Sequence, residues 1–268
     1  MAHETLIVAR DGAVLKITLN RPETRNAMSA DMLAELITAF EQARDDAEIR
    51  VVVLMGAGGS FCAGGDFRGM QKSDAALGSG TEATAASNRR FGALLEMADA
   101  LPKAVVCLIE GACMGGGMGL VAVSDWVIAE RQAKLGTPEV TVGIVPAQIT
   151  PFIVQRIGSA HARRLTAFGL RLDADEAQRI GLVHEVADGR DDLLTKGAAA
   201  VNQCLRCAPG ALARTKTLVA SSQREPLAAT LDSAADMFAA SLASDAKEGI
   251  RAFLDKRKAA WVRKIETL

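Results

Sequence analysis

Two glycine-rich segments and one isolated glutamate are the residues of this chain that are best suited to chemistry. The segments are residues 56–66 and 111–119, and each follows an apolar run typical of a buried strand. Glycine permits positive φ angles and close approach of a ligand, so Gly65 and Gly116 could each aim a backbone N–H at a developing oxyanion. Glu139 lies in a third loop, where its carboxyl group could transfer a proton.

Either glycine segment alone could be a tight turn or a site of close helix–strand packing, but their joint occurrence favours a ligand-binding role. Other glycine-based sites are not supported. The P-loop pattern G-x-x-x-x-G-K-[ST] is absent, and residues 115–120 fail G-x-G-x-x-G because the sixth position is Leu120. There is no G-x-S-x-G elbow, and His3, His161 and His184 lack a nucleophile in motif context, which argues against a Ser-His-Asp hydrolase.

The surrounding pattern predicts an α/β fold that positions these loops. Alternating residues 6–8 and 14–19 predict a β-hairpin, and Ser29 caps a predicted helix. Residues 72–87 are polar and small, which predicts a mobile loop before a helix at 91–98. Beyond Gly158 the pattern is nearly all helical, with a helix starting at Ala160. We therefore divide the chain into an α/β core, residues 1–190, and a helical region, residues 191–268.

Composition narrows the class of protein further. The chain has 268 residues, with 31 Lys and Arg against 32 Asp and Glu, so the net charge is −1 and nucleic-acid binding is not expected. Five cysteines and no export signal lead us to expect a reducing, cytoplasmic location and no disulfide framework. The pair Cys204 and Cys207 is weak evidence for a metal or redox site, and no metal is expected. Residues 104–123 predict a buried strand, turn and helix rather than a membrane span.

Four motifs resemble the crotonase superfamily of enoyl-CoA hydratases and isomerases. They are residues 20–28 (NRPETRNAM), 61–70 (FCAGGDFRGM), 111–120 (GACMGGGMGL, continuing to Asp125) and 135–146 (LGTPEVTVGIVP). The match runs in order along nearly the whole chain. It implies a spiral of repeated ββα units, as in ClpP-like folds, followed by a C-terminal helical trimerisation region. The expected assembly is a homotrimer or a dimer of trimers.

The resemblance also implies roles for individual residues. Gly65 and Gly116 would form the oxyanion hole for the thioester oxygen of an acyl-CoA, and Glu139 would be the catalytic acid and base. Coenzyme A is then part of the substrate, and no separate cofactor is expected. Contacts with CoA or the substrate are implied for Arg25, Ala63, Gly65, Asp66, Phe67, Arg68, Gly116, Phe253 and Lys256.

Gly119 departs from the family pattern, because hydratases of this family typically carry a second glutamate at this position. Glu139 alone could hydrate a 2,3-enoyl-CoA by shuttling one proton. A single carboxylate also suits a Δ3,Δ2-enoyl-CoA isomerase, and a catalytically impaired CoA-binding homologue is a third possibility. Residues 145–152 (VPAQITPF) resemble the methylglutaconyl-CoA and isohexenylglutaconyl-CoA hydratase branch. We therefore expect an acyl chain with a second carboxylate, and space for its branch at Gly119.

Overall fold

A computed structural model describes residues 3–66, 69 and 80–268. Its main sheet begins with the first two strands of the chain. The predicted hairpin is confirmed, since β1 (Leu6–Asp11) pairs antiparallel with β2 (Val14–Leu19). From β2 onward the neighbouring strands pair in parallel. These strands are β3 (Val51–Gly56), β4 (Ala104–Ile109), β6 (Trp126–Glu130) and β9 (Glu185–Ala187). The order of the strands in the main sheet is therefore β1-β2-β3-β4-β6-β9.

The central strands are buried on both faces, which explains their continuous apolar sequence. In β3, Val52 and Leu54 belong to one core cluster, whereas Val51 and Val53 belong to the other. The first cluster includes the buried face of α1 (Ala30–Asp45), whose predicted cap is confirmed because the Ser29 hydroxyl accepts a hydrogen bond from Met32 N at 3.2 Å. The second includes residues of α6 (Arg190–Arg206).

A smaller sheet contains β5 (Ala112–Met114), β7 (Lys134–Gly136) and β8 (Arg171–Asp173) in that order. It produces the predicted repeat of two strands and a helix: β4 and β5 lead into α3 (Gly116–Ala122), and β6 and β7 lead towards α4 (Thr150–Ala167). After β3, Cys62 forms an isolated parallel β-bridge with Cys113 in β5, so the first glycine segment pairs alongside the second.

The chain after β8 contains α5 (Ala174–Arg179) and α6, and ends in α7 (Pro209–Ser222), α8 (Leu227–Ala243) and α9 (Asp245–Leu254). Helix α6 packs against β4 and β6, so it covers the sheet although the predicted division at residue 190 places it in the helical region. The division itself stays a prediction. Among the described helices, none combines the length and apolar composition that a bilayer crossing requires.

Three local predictions were wrong or incomplete. The mobile loop was predicted for residues 72–87, but residues 81–87 belong to helix α2 (Thr81–Asp99). After Gly80 this segment contains alanine and no glycine or proline that would break a helix. Residues 72–79 of the predicted loop lie outside the described residues. Helix α4 consists of two helical segments that meet at the non-helical residue Gly158; the predicted start at Ala160 lies just after this break, and the first segment, which begins at Thr150 with Pro151 in its first turn, was not predicted. The region after Gly158 also contains β8 and β9, three-residue strands that exist by pairing with β7 and β6.

Candidate active site

The first glycine segment presents the Gly65 N–H away from its neighbouring strand. Met28 N donates to Gly64 O at 2.8 Å, and Asp66 N donates to Met28 O at 3.0 Å. In such a parallel bridge the intervening residue, Gly65, directs its own N–H to the opposite side. Within the described part of the chain no acceptor meets this N–H, so it is available to a ligand.

The second glycine segment presents the Gly116 N–H at the start of α3. Gly115, with φ 51° and ψ −115°, turns the chain from β5 into the helix, and its own N–H donates to Gly136 O at 3.1 Å. The first N–H groups of a helix have no intrahelical acceptor. No described residue accepts from Gly116 N, which leaves it available in the same way as Gly65 N.

The two segments lie against each other, and glycine is required where they meet. A β-carbon added at Gly115 would lie 3.3 Å from Gly64 Cα and 3.0 Å from Glu139 Oε1. One added at Gly64, where φ is 103°, would lie 3.8 Å from both Cβ and O of Met114. The structure therefore brings the predicted pair, Gly65 and Gly116, to one place and adds Glu139 beside it.

Glu139 lies in a 3₁₀ turn, Pro138–Val142, that ends at Gly143 in the left-handed region. Ile144 N donates to Glu139 O at 3.0 Å, which fixes the backbone of the turn. The carboxyl Oε2 is buried and has no hydrogen-bond partner among the described residues. This burial raises the pKa of Glu139 above its ordinary value. A carboxyl group held in this way suits proton exchange with a bound reactant.

The expectation of space at Gly119 was wrong. A β-carbon added there would lie 2.8 Å from Ile149 Cγ2 and 2.9 Å from Leu95 Cδ1. The position where relatives carry a second glutamate is therefore filled by two apolar side chains from other elements, α2 and the start of α4. Gly119 provides room neither for an acyl branch nor for a carboxylate.

The remaining predicted contacts divide into three groups. Arg25 and Ala63 lie beside the first glycine segment, where Ala63 N donates to Arg25 O at 2.9 Å. Phe67 and Arg68 lie outside the described residues. Phe253 and Lys256 lie at and after the end of α9, whose packing is on α8 and α7, and no described contact joins them to Gly65, Gly116 or Glu139.

Two structural roles near the site were not predicted from the sequence. The Asp66 carboxylate accepts a hydrogen bond at 2.9 Å from Arg21 Nη1, which also donates to Ala27 O, so this ion pair ties the segment 20–28 to the first glycine segment. Phe91 of α2 approaches Gly116, with its Cζ 3.4 Å from the position of an added β-carbon. The Asn-Arg-Pro motif signalled the first role, whereas no local signal marks Phe91.

The nearby cysteine thiols do not act as nucleophiles in this arrangement. Cys62 and Cys113 are buried beneath Gly117, and burial raises the pKa of Cys62 to about 11. The five cysteines are free of disulfides, as the sequence predicts. The groups that this arrangement offers for chemistry are thus two backbone N–H groups and one carboxyl group.

This geometry agrees with the comparisons to known proteins. The model of the enoyl-CoA hydratase/isomerase family matches residues 9–264. The chain belongs to the enoyl-CoA hydratase/isomerase family. A probable enoyl-CoA hydratase from Rhizobium meliloti is 34% identical over 97% of this chain and 98% of its own. The 2,3-dehydroadipyl-CoA hydratase from Escherichia coli is also 34% identical, over 94% and 96%.

Solved structures have the same fold as the chain. An enoyl-CoA hydratase/isomerase from Marinobacter aquaeolei superposes with a TM-score of 0.93 at 45% identity, covering 97% of this chain and 100% of the other. AtuE of Pseudomonas aeruginosa gives a TM-score of 0.93 at 47% identity with the same coverage. The crotonase fold and membership in an enzyme family that acts on enoyl-CoA thioesters are thereby confirmed.

Proposed function

We propose that this enoyl-CoA hydratase/isomerase family member adds water to a 2,3-enoyl-CoA thioester. In the proposal, the N–H groups of Gly65 and Gly116 hold the thioester oxygen, and Glu139 moves the proton. The observation that carries the proposal is the buried Glu139 carboxyl group, whose Oε2 has no described partner beside two glycine segments with unused N–H groups.

The proposed reaction needs one carboxylate and no cofactor beyond the CoA carried by the substrate. The Glu139 carboxylate takes a proton from water while the water oxygen forms a bond to C3. The C2–C3 π electrons move onto the thioester oxygen, where two N–H donors stabilise the enolate, each by roughly 3 kcal/mol. Collapse of the enolate takes the proton from Glu139 to C2, so the carboxylate is restored.

The isomerase activity is a second candidate because the structure leaves no room for a second carboxylate. At Gly119, Leu95 and Ile149 occupy the place of the glutamate found in typical hydratases. Glu139 alone could remove a proton from C2 of a 3,4-enoyl-CoA and return it to C4, through the same enolate. We favour hydration because three curated relatives, at 31% to 34% identity, are named as hydratases.

A panel of enoyl-CoA thioesters with product identification by mass spectrometry tests the proposal. Hydration adds the mass of one water, whereas isomerisation leaves the mass unchanged and moves the double bond, which NMR detects. Unchanged substrate across the panel, with CoA thioesters still bound, would instead identify a CoA-binding homologue that has lost activity. The retained Glu139 and its raised pKa speak against that outcome.

We propose further that the substrate carries a second carboxylate, as glutaconyl-type thioesters do. The support is the resemblance of residues 145–152 to the methylglutaconyl-CoA and isohexenylglutaconyl-CoA hydratase branch. One relative at 34% identity is named for 2,3-dehydroadipyl-CoA, whose acyl group is also dicarboxylic. Because Leu95 and Ile149 leave no space beside Gly119, such a carboxylate must be accommodated elsewhere in the site.

The proposed CoA site joins loop residues to the C-terminal helices of an adjoining subunit. In this proposal Arg25 and Ala63, which lie beside Gly65, would contact CoA, and the Asp66 ion pair with Arg21 would order the loop. Phe253, with 82% of its surface exposed, and Lys256 would contact CoA bound to the neighbour. A homotrimer or dimer of trimers fits this arrangement, since α8 also leaves large apolar side chains exposed.

A further inference from the structure

Gln148 lies directly across a glycine of helix α2. A β-carbon added at Gly92 would be 2.0 Å from Gln148 Oε1, so the amide packs on the bare helix backbone. Gln148 Nε2 donates to Asn88 Oδ1 at 2.9 Å. Glycine inside a helix is less stable than alanine, so Gly92 lowers the stability of α2 and in return allows Gln148 to approach the helix backbone.

The placement of this amide pair relative to the oxyanion donors follows from how α2 runs along α3. Phe91 meets Gly116 at the start of α3, and Leu95 meets Gly119 one turn later, so the two helices run in the same direction. Asn88 is one turn before Phe91 and Gly92, about 5 Å along the axis. It therefore extends past the start of α3, on the side towards which the Gly116 N–H points.

The loop that carries Gln148 also belongs to the site. Glu139 at one end of the loop meets Gly115, and Ile149 at the other end meets Gly119. Gln148, next to Ile149, is therefore held at the border of the same space. If Gly116 N binds the thioester oxygen, as proposed, the acyl group would lie between this loop and α2.

The wall of this space changes from apolar to polar with distance from Gly116. Met28 and Phe91 lie within 3.8 Å of a β-carbon added at Gly116. Beyond them come the Asn88 and Gln148 amides, and Arg89, whose Nη1 is 3.0 Å from a β-carbon added at Gly92. Arg89 pairs with Glu96 through its other terminal nitrogen, Nη2, at 2.7 Å. Among the described residues, no acceptor meets Asn88 Nδ2 or the second N–H of Gln148 Nε2, so two amide N–H groups at this exposed edge are available to an anion.

We propose that Gln148, with Asn88, is the specificity determinant that binds a carboxylate at the far end of the acyl chain. This inference rests on the proposed hydration of enoyl-CoA and assigns its second carboxylate to named donors. Amide N–H groups donate well to an ionised carboxylate, and hydrogen bonds to charged groups are the stronger kind. A methyl-ended chain of equal length would leave the same donors without an acceptor.

The test compares two six-carbon substrates that differ only at the chain end, 2,3-dehydroadipyl-CoA and trans-2-hexenoyl-CoA. The kcat/KM ratio of the carboxylated to the methyl-ended substrate is measured for the wild type, Gln148→Leu and Gln148→Glu. Gln132→Leu, at an exposed glutamine, is the matched control. We expect a ratio above 1 in the wild type and the control, a ratio about tenfold lower in Gln148→Leu, and a still lower ratio in Gln148→Glu because like charges repel.

The outcomes separate this inference from the proposed function. Retained activity towards trans-2-hexenoyl-CoA shows that the variants are folded. If the wild type hydrates both substrates and both variants leave the ratio unchanged, or lower both activities equally, Gln148 only docks the loop and the inference is overturned. A wild type that prefers trans-2-hexenoyl-CoA overturns it as well. A wild type that hydrates neither substrate contradicts the proposed function itself.

Discussion

At the scale of single residues, the proposed proton chemistry depends on how the carboxyl group of Glu139 is shielded from water. Its Oε2 is buried without a described partner, and burial raises its pKa. We expect Glu139→Gln to lower kcat by about 10²-fold or more, because glutamine cannot accept the proton of water. Binding of CoA thioesters, measured by calorimetry, should change little. Glu23→Gln, at an exposed carboxylate, is the control; equal losses in both variants would show that Glu139 is not the base.

The raised pKa of Glu139 also predicts how activity and stability vary with pH. The base must be ionised, so kcat/KM should fall as pH drops through a value above the ordinary 4.5 of glutamate. A group whose pKa is raised by folding stabilises the fold below its unfolded pKa and loses that contribution as pH rises through the folded value. Glu139→Gln should therefore be more stable than the wild type at pH 7, and the difference in Tm should shrink on acidification. A constant difference would contradict the assignment.

The Gly116 N–H can be removed by a substitution that the first residue of a helix tolerates. Gly116 is the first residue of α3, where proline is tolerated because the N–H has no intrahelical acceptor. We expect Gly116→Pro to lower kcat by about 10²- to 10³-fold relative to Gly116→Ala, which keeps the N–H and adds the same β-carbon beside Phe91. Circular dichroism checks that both variants are folded. Equal rates in the two variants would remove Gly116 from the oxyanion hole.

At the scale of elements, the packing of α3 decides whether a second carboxylate can be introduced. Gly119→Glu would force a charged side chain between Leu95 and Ile149, and we expect a loss of roughly 3 kcal/mol or more in the free energy of unfolding. Gly119→Ala should cost less, because alanine regains about 1 kcal/mol of helix propensity. Urea denaturation measures both. A stable Gly119→Glu variant with faster hydration would show that the position is open after all.

The elements that position the site differ in how far the sequence predicts them. The strands β3 and β4 and the glycine segments after them are marked by local signals, continuous apolar residues and glycine clusters, so the sequence could predict that Gly65, Gly116 and Glu139 share one site. The lack of space at Gly119 could not be predicted, because Leu95 and Ile149 come from segments distant along the chain. The contact of Gln148 with Gly92 also joins residues distant along the chain, and no periodic pattern in the sequence predicts it.

At the scale of the whole molecule, α8 has the surface of a helix that packs against another subunit. Its residues Leu227, Leu231, Phe238 and Leu242 recur at helical spacing and are 45% to 74% exposed, whereas Thr230 is the buried residue of the helix. Burying each such side chain contributes about 1.5–3 kcal/mol. This stripe is far more apolar than a helix surface in contact with water requires, which is the physical basis of the proposed trimer.

Charge placed in this stripe should therefore dissociate the assembly. We expect the wild type to elute at three or six times the chain mass of 28.1 kDa in size-exclusion chromatography with light scattering, and the variant with Leu231→Asp and Phe238→Asp to elute as a monomer. Asp232→Asn, on the same helix outside the stripe, should leave the mass unchanged. If Phe253 and Lys256 contact CoA on the neighbouring subunit, the monomer should also show a higher KM for CoA thioesters. A monomeric wild type would contradict the proposed assembly, and a dissociated variant with unchanged KM would place the whole CoA site within one chain.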